Sequence, residues 1–339
     1  MSERTQQLEK IAKRIRYLIL ASSAEAGSGH PTSALSATDL MAGLLFGGSF
    51  RYELEQPAYP NNDRLVFSKG HATPLFYSLW AVAGKISDEE MMTYRKFGSP
   101  LEGHPTVTFP YVEAATGSLG QGLSIGVGLA LNAKYLESLP YRSYVLLGDS
   151  EMAEGSQWEA MQVAVHYRLD NLIGVLDVNR LGQRGETMHG HNIEAYRERI
   201  AAFGWDTVTI DGHDFDQILP AFEKARFGTG RPLMIIAKTV KGKGVSFLED
   251  QNGWHGKALD AEKLDKAMDE LGEVDKQVTG RIEKPEQVAP AAGEQAAVSE
   301  PDYTVGEAVP TRTAYGNALS RLFPKYPDLV SLDGEVSNS

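Results

Sequence analysis

Residues 144–183 read YVLLGDSEMAEGSQWEAMQVAVHYRLDNLIGVLDVNRLGQ, and their pattern decides the fold. Residues 144–147 form a short apolar run without charge, which predicts a buried parallel strand. Gly148-Asp149-Ser150 ends it sharply. Apolar residues at helical spacing follow over 154–169 (Trp158, Met161, Val165, Leu169), and residues 172–176 form a second apolar strand ending in Asp177-Val178-Asn179. A strand–helix–strand unit delivers Asp149 and Asn179 to one carboxyl edge, where open α/β sheets bind ligands. One anionic and one amide oxygen suit Mg²⁺ or Ca²⁺ when a ligand phosphate supplies further oxygens. GDS and DVN also make ordinary turns. Their separation of 30 residues, with one helix between, favours a metal that bridges a diphosphate to the sheet.

Upstream, residues 5–22 predict an amphipathic helix, and a second helix is expected over 32–46. Three loops then pair glycine with histidine beside an element end: Gly29-His30, Gly70-His71 after a strand at 63–67, and Gly103-His104. A fourth histidine, His255, lies between Trp254 and Gly256. Any one of these passes for a solvated turn; their recurrence points to a shared site. Imidazoles titrate near neutrality and suit proton transfer on hydroxyls and carbonyls. None of the first three shows the i, i+4 pairing of a helical zinc site, and the His189/His191 pair falls in a glycine-rich loop.

Gly117-Ser118-Leu119-Gly120-Gln121-Gly122 leads into a helix rich in small residues, expected to be buried, with a subunit interface as one setting for it. Its first amides can hold an anion. Downstream, strands are expected at 205–210 and 232–237 around a helix at 214–227. Lys241-Gly242-Lys243-Gly244 follows the last strand, and such a basic glycine-rich loop favours phosphate.

The 339 residues suffice for two domains. Residues 271–309, rich in Ala, Pro, Glu and Gln, read as a linker between a first domain (1–270) and the beginning of a second α/β domain (310–339). A helix at 312–322 and a strand at 329–332 open that second domain, whose remainder is expected to lie elsewhere. No apolar run approaches a membrane span, and the N-terminal imitation of a secretory signal at 14–24 is too short in its apolar part. The absence of cysteine excludes disulfides and thiolate chemistry. The net charge of −12 argues against nucleic acid. A cytoplasmic protein without membrane or nucleic-acid partners is expected.

With SGHPTS (28–33), SKGHATP (68–74), GHP (103–105), GSLGQG (117–122), GDSE (148–151) running to Asn179, RLGQ (180–183), KGKG (241–244) and WHGK (254–257) in order, the chain resembles the transketolases. The resemblance implies a thiamine diphosphate-binding α/β fold, with a parallel sheet flanked by helices. It implies that Asp149, Asn179 and the Leu181 carbonyl hold Mg²⁺ (Ca²⁺ or Mn²⁺ being alternatives). Ser33, His71, Gly117, Ser118, Leu119 and Ser150 would contact the cofactor, together with Asn179, Gln183, Lys241 and His255. His30, His71, His104 and His255 would line the active site as catalytic groups, and Arg312 and Ser339 would bind the sugar phosphate. Ser150 departs from the family, which usually has glycine there; a left-handed backbone at that position would be strained by the Cβ.

The implied activity is reversible transfer of a two-carbon ketol unit between sugar phosphates, as in the pentose phosphate pathway. The implied assembly is a homodimer, or this chain with a complementing C-terminal half that supplies the pyrimidine-binding domain and its activating glutamate. A dihydroxyacetone synthase-like enzyme, and a cofactor-binding subunit without activity of its own, are the alternatives.

Overall fold

In the computed structural model, which describes residues 2–291 and 295–334, the expected strand–helix–strand unit is present. It consists of β2 (Ser143–Gly148), α7 (Gly155–His166) and β3 (Leu172–Val178), preceded by β1 (Arg64–Phe67). With β4 (Asp206–Asp211) and β5 (Leu233–Lys238) these strands make one five-stranded sheet of order β1-β2-β3-β5-β4. Every pairing is parallel.

Period-2 alternation assigns the two faces of this sheet to two cores. Tyr144, Leu146, Ile173, Val175 and Ile235 point into a core shared with α1 (Glu3–Glu25), α2 (Pro31–Ser36), α3 (Thr38–Phe46) and α4 (Thr73–Val82). Below α4 lies the single turn α5 (Asp88–Met91), closed by a reciprocal Ser87–Glu90 cap. Val145, Leu147, Leu172, Leu176 and Ile236 point to the other side, against α6 (Gln121–Leu131), α7 and α8 (Ile193–Ala202). The helix α9 (Phe215–Phe227) returns to the first face, and α10 (Ala261–Leu271) packs on α1. With both faces covered, the three central strands β2, β3 and β5 are mostly apolar and buried, whereas the edge strand β4 is half polar and only partly covered.

Several elements differ from expectation. The helix expected over 32–46 is two helices, with Ala37 between them at φ −97°, ψ 6°. Here the Ser36 hydroxyl bonds the Ser33 carbonyl (3.1 Å), and Thr38 Oγ1 donates to the Ala34 carbonyl (3.1 Å). Such local bonds compete with the helical ladder. The small-residue helix α6 is buried on one face only: Leu123, Val127 and Ala130 are covered while Ser124 and Gly128 are exposed. Of its glycines, Gly126 faces the sheet and Gly128 faces open space. A Cβ on Gly126 would stand 2.4 Å from Val145 Cγ2.

Helices α5, α8 and α10 are additions to the expected elements. Beyond α10 the chain has no helix or strand up to residue 291, yet Val278 and Ile282 are buried, and the Gly280 amide donates to the Val82 carbonyl (3.0 Å). The last helix, α11 (Thr311–Leu322), has no buried residue. The strand expected at 329–332 does not form, because a strand needs a neighbour to pair with and these residues have no bridge partner among those described. Among the described residues, no helix is long and apolar enough to cross a membrane.

Candidate functional site

Loops after β1, β2, β3 and β5 converge at the carboxyl edge around a cavity of about 260 Å³. Its floor is a buried charge network. Asp177, the one acidic residue in β3, is fully buried and forms an ion pair with Lys69, itself 2% exposed. Asp177 also accepts from the hydroxyls of Ser36 (2.6 Å) and Thr239 and from the Asn179 amide (3.2 Å). Burial alone would raise the pKa of this carboxyl. The Lys69 charge and these donors outweigh burial and hold it below the usual carboxylate range. Lys69 also donates to the Ser33 carbonyl (3.0 Å), which fixes α2 to the floor.

Above the floor stand the expected metal ligands. Because the Asn179 NH₂ is committed to Asp177 and Ser36, its oxygen faces the other way, where the Leu181 amide donates to it (3.2 Å). Asp149 accepts from the backbone amides of Ser150 (2.8 Å) and Arg180 (2.7 Å). Its pKa is pushed up to about 6, by burial first and by the neighbouring Asp177 second. The Leu181 carbonyl accepts a hydrogen bond from Lys241 Nζ at 2.6 Å. Burial and the nearby Lys69 charge lower the Lys241 pKa to about 8. Among the described residues, no group of three or more His, Cys, Asp or Glu side chains could hold a metal on its own. A cation here must draw on amide and carbonyl oxygens, and on the ligand itself.

The histidines form the wall. His30, His71 and His255 make a triangle with ring centroids 5.0–5.2 Å apart. His104 lies against Gly117, where a Cβ would come within 3.0 Å of its ring; Gly117 has φ +147°, a conformation suited to glycine. Burial is the leading cause that lowers all four pKa values, to about 4 for His30 and about 3 for His255. All four are therefore neutral at pH 7. Lysine can only donate, so the Lys241 contact at 2.9 Å makes Nδ1 of His255 the acceptor and leaves the proton on Nε2. His30 Nδ1 is buried without a hydrogen-bond partner among the described residues.

The cavity brings together most of the expected site residues: the four histidines, Ser33, Gly117, Leu119, Asp149, Ser150, Asn179, Leu181, Gln183 and Lys241. Ser118 is exposed and does not line it, because the loop turns its neighbours inward instead. Arg312 is exposed on α11, which contributes nothing to the lining. Ser339 lies outside the described residues. Ser150 has no left-handed backbone, so its Cβ brings none of the strain anticipated for it.

Three lining or supporting residues receive no role from the sequence, although each lies in or beside a quoted motif: Lys69, Asp177 and Glu151. Glu151 accepts from Ser68 and from the amides of Gly120 (2.8 Å) and Gly148 (3.0 Å), tying the 117–122 loop to the end of β2. A lone acid inside an apolar strand is the available signal for Asp177, since a buried charge demands a partner.

A doubly covered parallel sheet with carboxylate, amide, carbonyl and lysine groups gathered at its carboxyl edge defines an α/β protein of the class whose ligand sites lie at the strand ends. Residues 7–300 match the family described as "Transketolase, thiamine diphosphate binding domain". The chain is 44% identical over 337 residues to transketolase-like protein 2 of Bos taurus, covering 98% of this chain and 54% of that protein. Among solved structures it resembles transketolase from Campylobacter jejuni (TM-score 0.75, 34% identity, 83% of this chain and 45% of that one). It also resembles Pichia stipitis transketolase in complex with sedoheptulose-7-phosphate (TM-score 0.72, 31% identity, 78% and 40%). The chain belongs to the transketolase thiamine diphosphate-binding domain family, and its sheet and helices are the fold of that family. It spans about half the length of the curated relatives it matches.

Proposed function

We propose that this chain holds thiamine diphosphate through Mg²⁺, or Ca²⁺ or Mn²⁺ in its place, and serves an enzyme that transfers a two-carbon ketol unit between sugar phosphates. The observation that carries the proposal is the convergence of Asp149, Asn179, the Leu181 carbonyl and Lys241 with four neutral histidines in one cavity. The donor set fits a hard divalent cation: one carboxylate, one amide oxygen held outward by Asp177, and one carbonyl. The Lys241 ammonium occupies that carbonyl, so a cation ligated there competes with it and frees the ammonium for phosphate.

Thiamine diphosphate, when bound, supplies the carbanion and electron sink that amino-acid side chains lack. The residues of this chain bind and orient around it. Each neutral imidazole has one nitrogen able to accept a hydroxyl proton and one able to donate, so His30, His71 and His104 can take protons from sugar hydroxyls and return them. The fourth catalytic histidine, His255, accepts from Lys241 at Nδ1, carries its proton on Nε2 and offers that nitrogen to the substrate as a donor. The sugar phosphate as substrate rests on family membership and on the Pichia stipitis relative solved with such a ligand. The same proposal has the enzyme act as a cytoplasmic homodimer. It treats residues 271–309 as a linker to a pyrimidine-binding domain beginning near residue 310, where Arg312 and Ser339 would meet the substrate phosphate.

The test is thiamine diphosphate affinity, measured by calorimetry with and without Mg²⁺, for wild type and Asp149→Ala. The variant removes the only charged protein ligand, so affinity should fall at least about tenfold and lose its Mg²⁺ dependence. Unchanged affinity and unchanged metal dependence would overturn the assignment.

A further inference from the structure

At the opposite end of the sheet the chain builds a second cavity, of about 450 Å³, whose wall carries four arginines: Arg4, Arg51, Arg142 and Arg226. Arg142 immediately precedes β2, whereas the cofactor site follows it; six residues of strand separate the two by roughly 20 Å. The pairing of these arginines is incomplete. Arg226 reaches Asp63 at 3.3 Å and Arg51 reaches the exposed Glu286 at 3.5 Å, while Arg4 donates to the Gly47 carbonyl. The Arg142 guanidinium has no hydrogen bond or ion pair among the described residues, and its Nε is buried. Arg51 Nε is likewise buried without a partner.

Asp63 cannot serve them fully, because its oxygens are engaged by the backbone amides of Arg51 (2.9 Å) and Arg142 (2.8 Å). In a protein of net charge −12, a cavity with four cationic forks against Glu223, Glu286 and the underlying Asp63 is locally positive. A buried guanidinium N–H left unpaired calls for an acceptor. Guanidinium forks match the oxygens of a phosphoryl group in geometry and charge.

We infer that this amino-edge cavity is a binding site for a phosphoryl dianion, either inorganic phosphate or the phosphate of a small ester, separate from the cofactor site. The terminal nitrogens of Arg142, without a hydrogen bond or ion pair among the described residues, are its principal donors, with Arg51 beside them on the wall. The volume leaves room for a small organic body beside the phosphoryl group.

The experiment titrates the full 339-residue chain with inorganic phosphate and with glycerol 3-phosphate by calorimetry, without thiamine diphosphate or divalent cations. Chloride at matched ionic strength is the control. Saturable binding is expected, weakened at least tenfold in Arg142→Gln and unchanged in Lys266→Met, an exposed lysine of α10 outside both cavities. Should Arg142→Gln fail to fold, Arg51→Gln must show the same loss. An ester that binds at least tenfold more tightly names an organic phosphate as the ligand, and equal affinities name inorganic phosphate. Absence of binding beyond the chloride control, binding kept in the arginine variants, or an equal loss in Lys266→Met, would overturn the site.

Discussion

Two aspartates, one at each end of the same sheet, are almost fully buried and yet titrate in opposite directions. Asp177 at the carboxyl edge sits below the usual carboxylate range, whereas Asp63 at the amino edge is pushed up to about 6. Burial raises both. At Asp177 a buried ammonium, two hydroxyls and an amide aim directly at the carboxylate and outweigh it. At Asp63 two backbone amides and one longer arginine contact do not. Proximity to positive charge is thus not enough to stabilise a buried carboxylate; donors must converge on its oxygens. The difference assigns the two ends different tasks. One is a completed network that fixes a site, and the other leaves arginine donors unspent.

The largest expected effect comes from breaking the completed network. Asp177→Ala leaves Lys69 buried without its counter-charge and strands the donors of Ser36, Thr239 and Asn179. Removing one partner of a buried pair typically costs about 3–5 kcal/mol. A loss of that size should appear as a lowered urea midpoint, together with loss of thiamine diphosphate binding as the Asn179 amide is released. Replacing Lys69 with Met in the same chain should recover part of the stability but not the binding. A variant as stable as wild type would show that the pair is not the keystone of this edge.

A smaller effect is expected from pH. The folded state holds His30 and His255 neutral, with pKa values of about 4 and about 3, against an unfolded value near 6.5. Their contribution to stability is therefore complete above pH 6.5 and is lost as pH falls through 4 toward 3, where the unfolded chain binds protons that the folded one refuses. Asp149 and Asp63, with raised values of about 6, act with the opposite sign: their contribution is complete below pH 3.8 and is lost as pH rises through 6. His30→Asn combined with His255→Asn should flatten the acid side of the stability curve in thermal unfolding from pH 4 to 7. A curve parallel to wild type would refute the neutral-histidine account.

The sheet and the site differ in how much of each a linear reading shows. The β2–α7–β3 unit is legible because short apolar runs and a helical period are local properties, and the 30 residues between Asp149 and Asn179 fix their common edge. The histidines are legible through the glycines beside them. The Lys69–Asp177 pair is not, since it joins residues 108 apart and depends on how the β1 loop folds over β3. The exposure of Ser118 is equally a matter of which way a loop turns. The helix break at Ala37 follows from hydroxyl bonds of Ser36 and Thr38, which a periodic apolar pattern conceals. A strand at 329–332 would need pairing from another strand, and local propensity says nothing of where that partner lies. The amino-edge arginines are scattered over residues 4 to 226, so no motif announces them.

The smallest expected effect is at Asp63, and it separates the two ends most sharply. Asparagine is close in shape to a protonated aspartate, with one oxygen acceptor kept and the charge removed. Because burial already favours the protonated form up to about pH 6, Asp63→Asn should resemble wild type at pH 4. As pH rises to 7, wild type must ionise a carboxyl that its surroundings serve poorly, and the variant need not. The sign then follows from linkage: wild type loses stability over that interval relative to Asp63→Asn, so the variant should be at least as stable at pH 7. The same substitution removes a negative charge from beneath Arg142 and Arg226, and phosphate should bind the amino-edge cavity more tightly, by about threefold or more. Urea unfolding at pH 4 and pH 7, paired with a phosphate titration, measures both. If Asp63→Asn costs about 2 kcal/mol or more at pH 7, on the scale of a buried hydrogen bond left unmade, then Asp63 is a completed anchor like Asp177 and the contrast between the two edges does not hold.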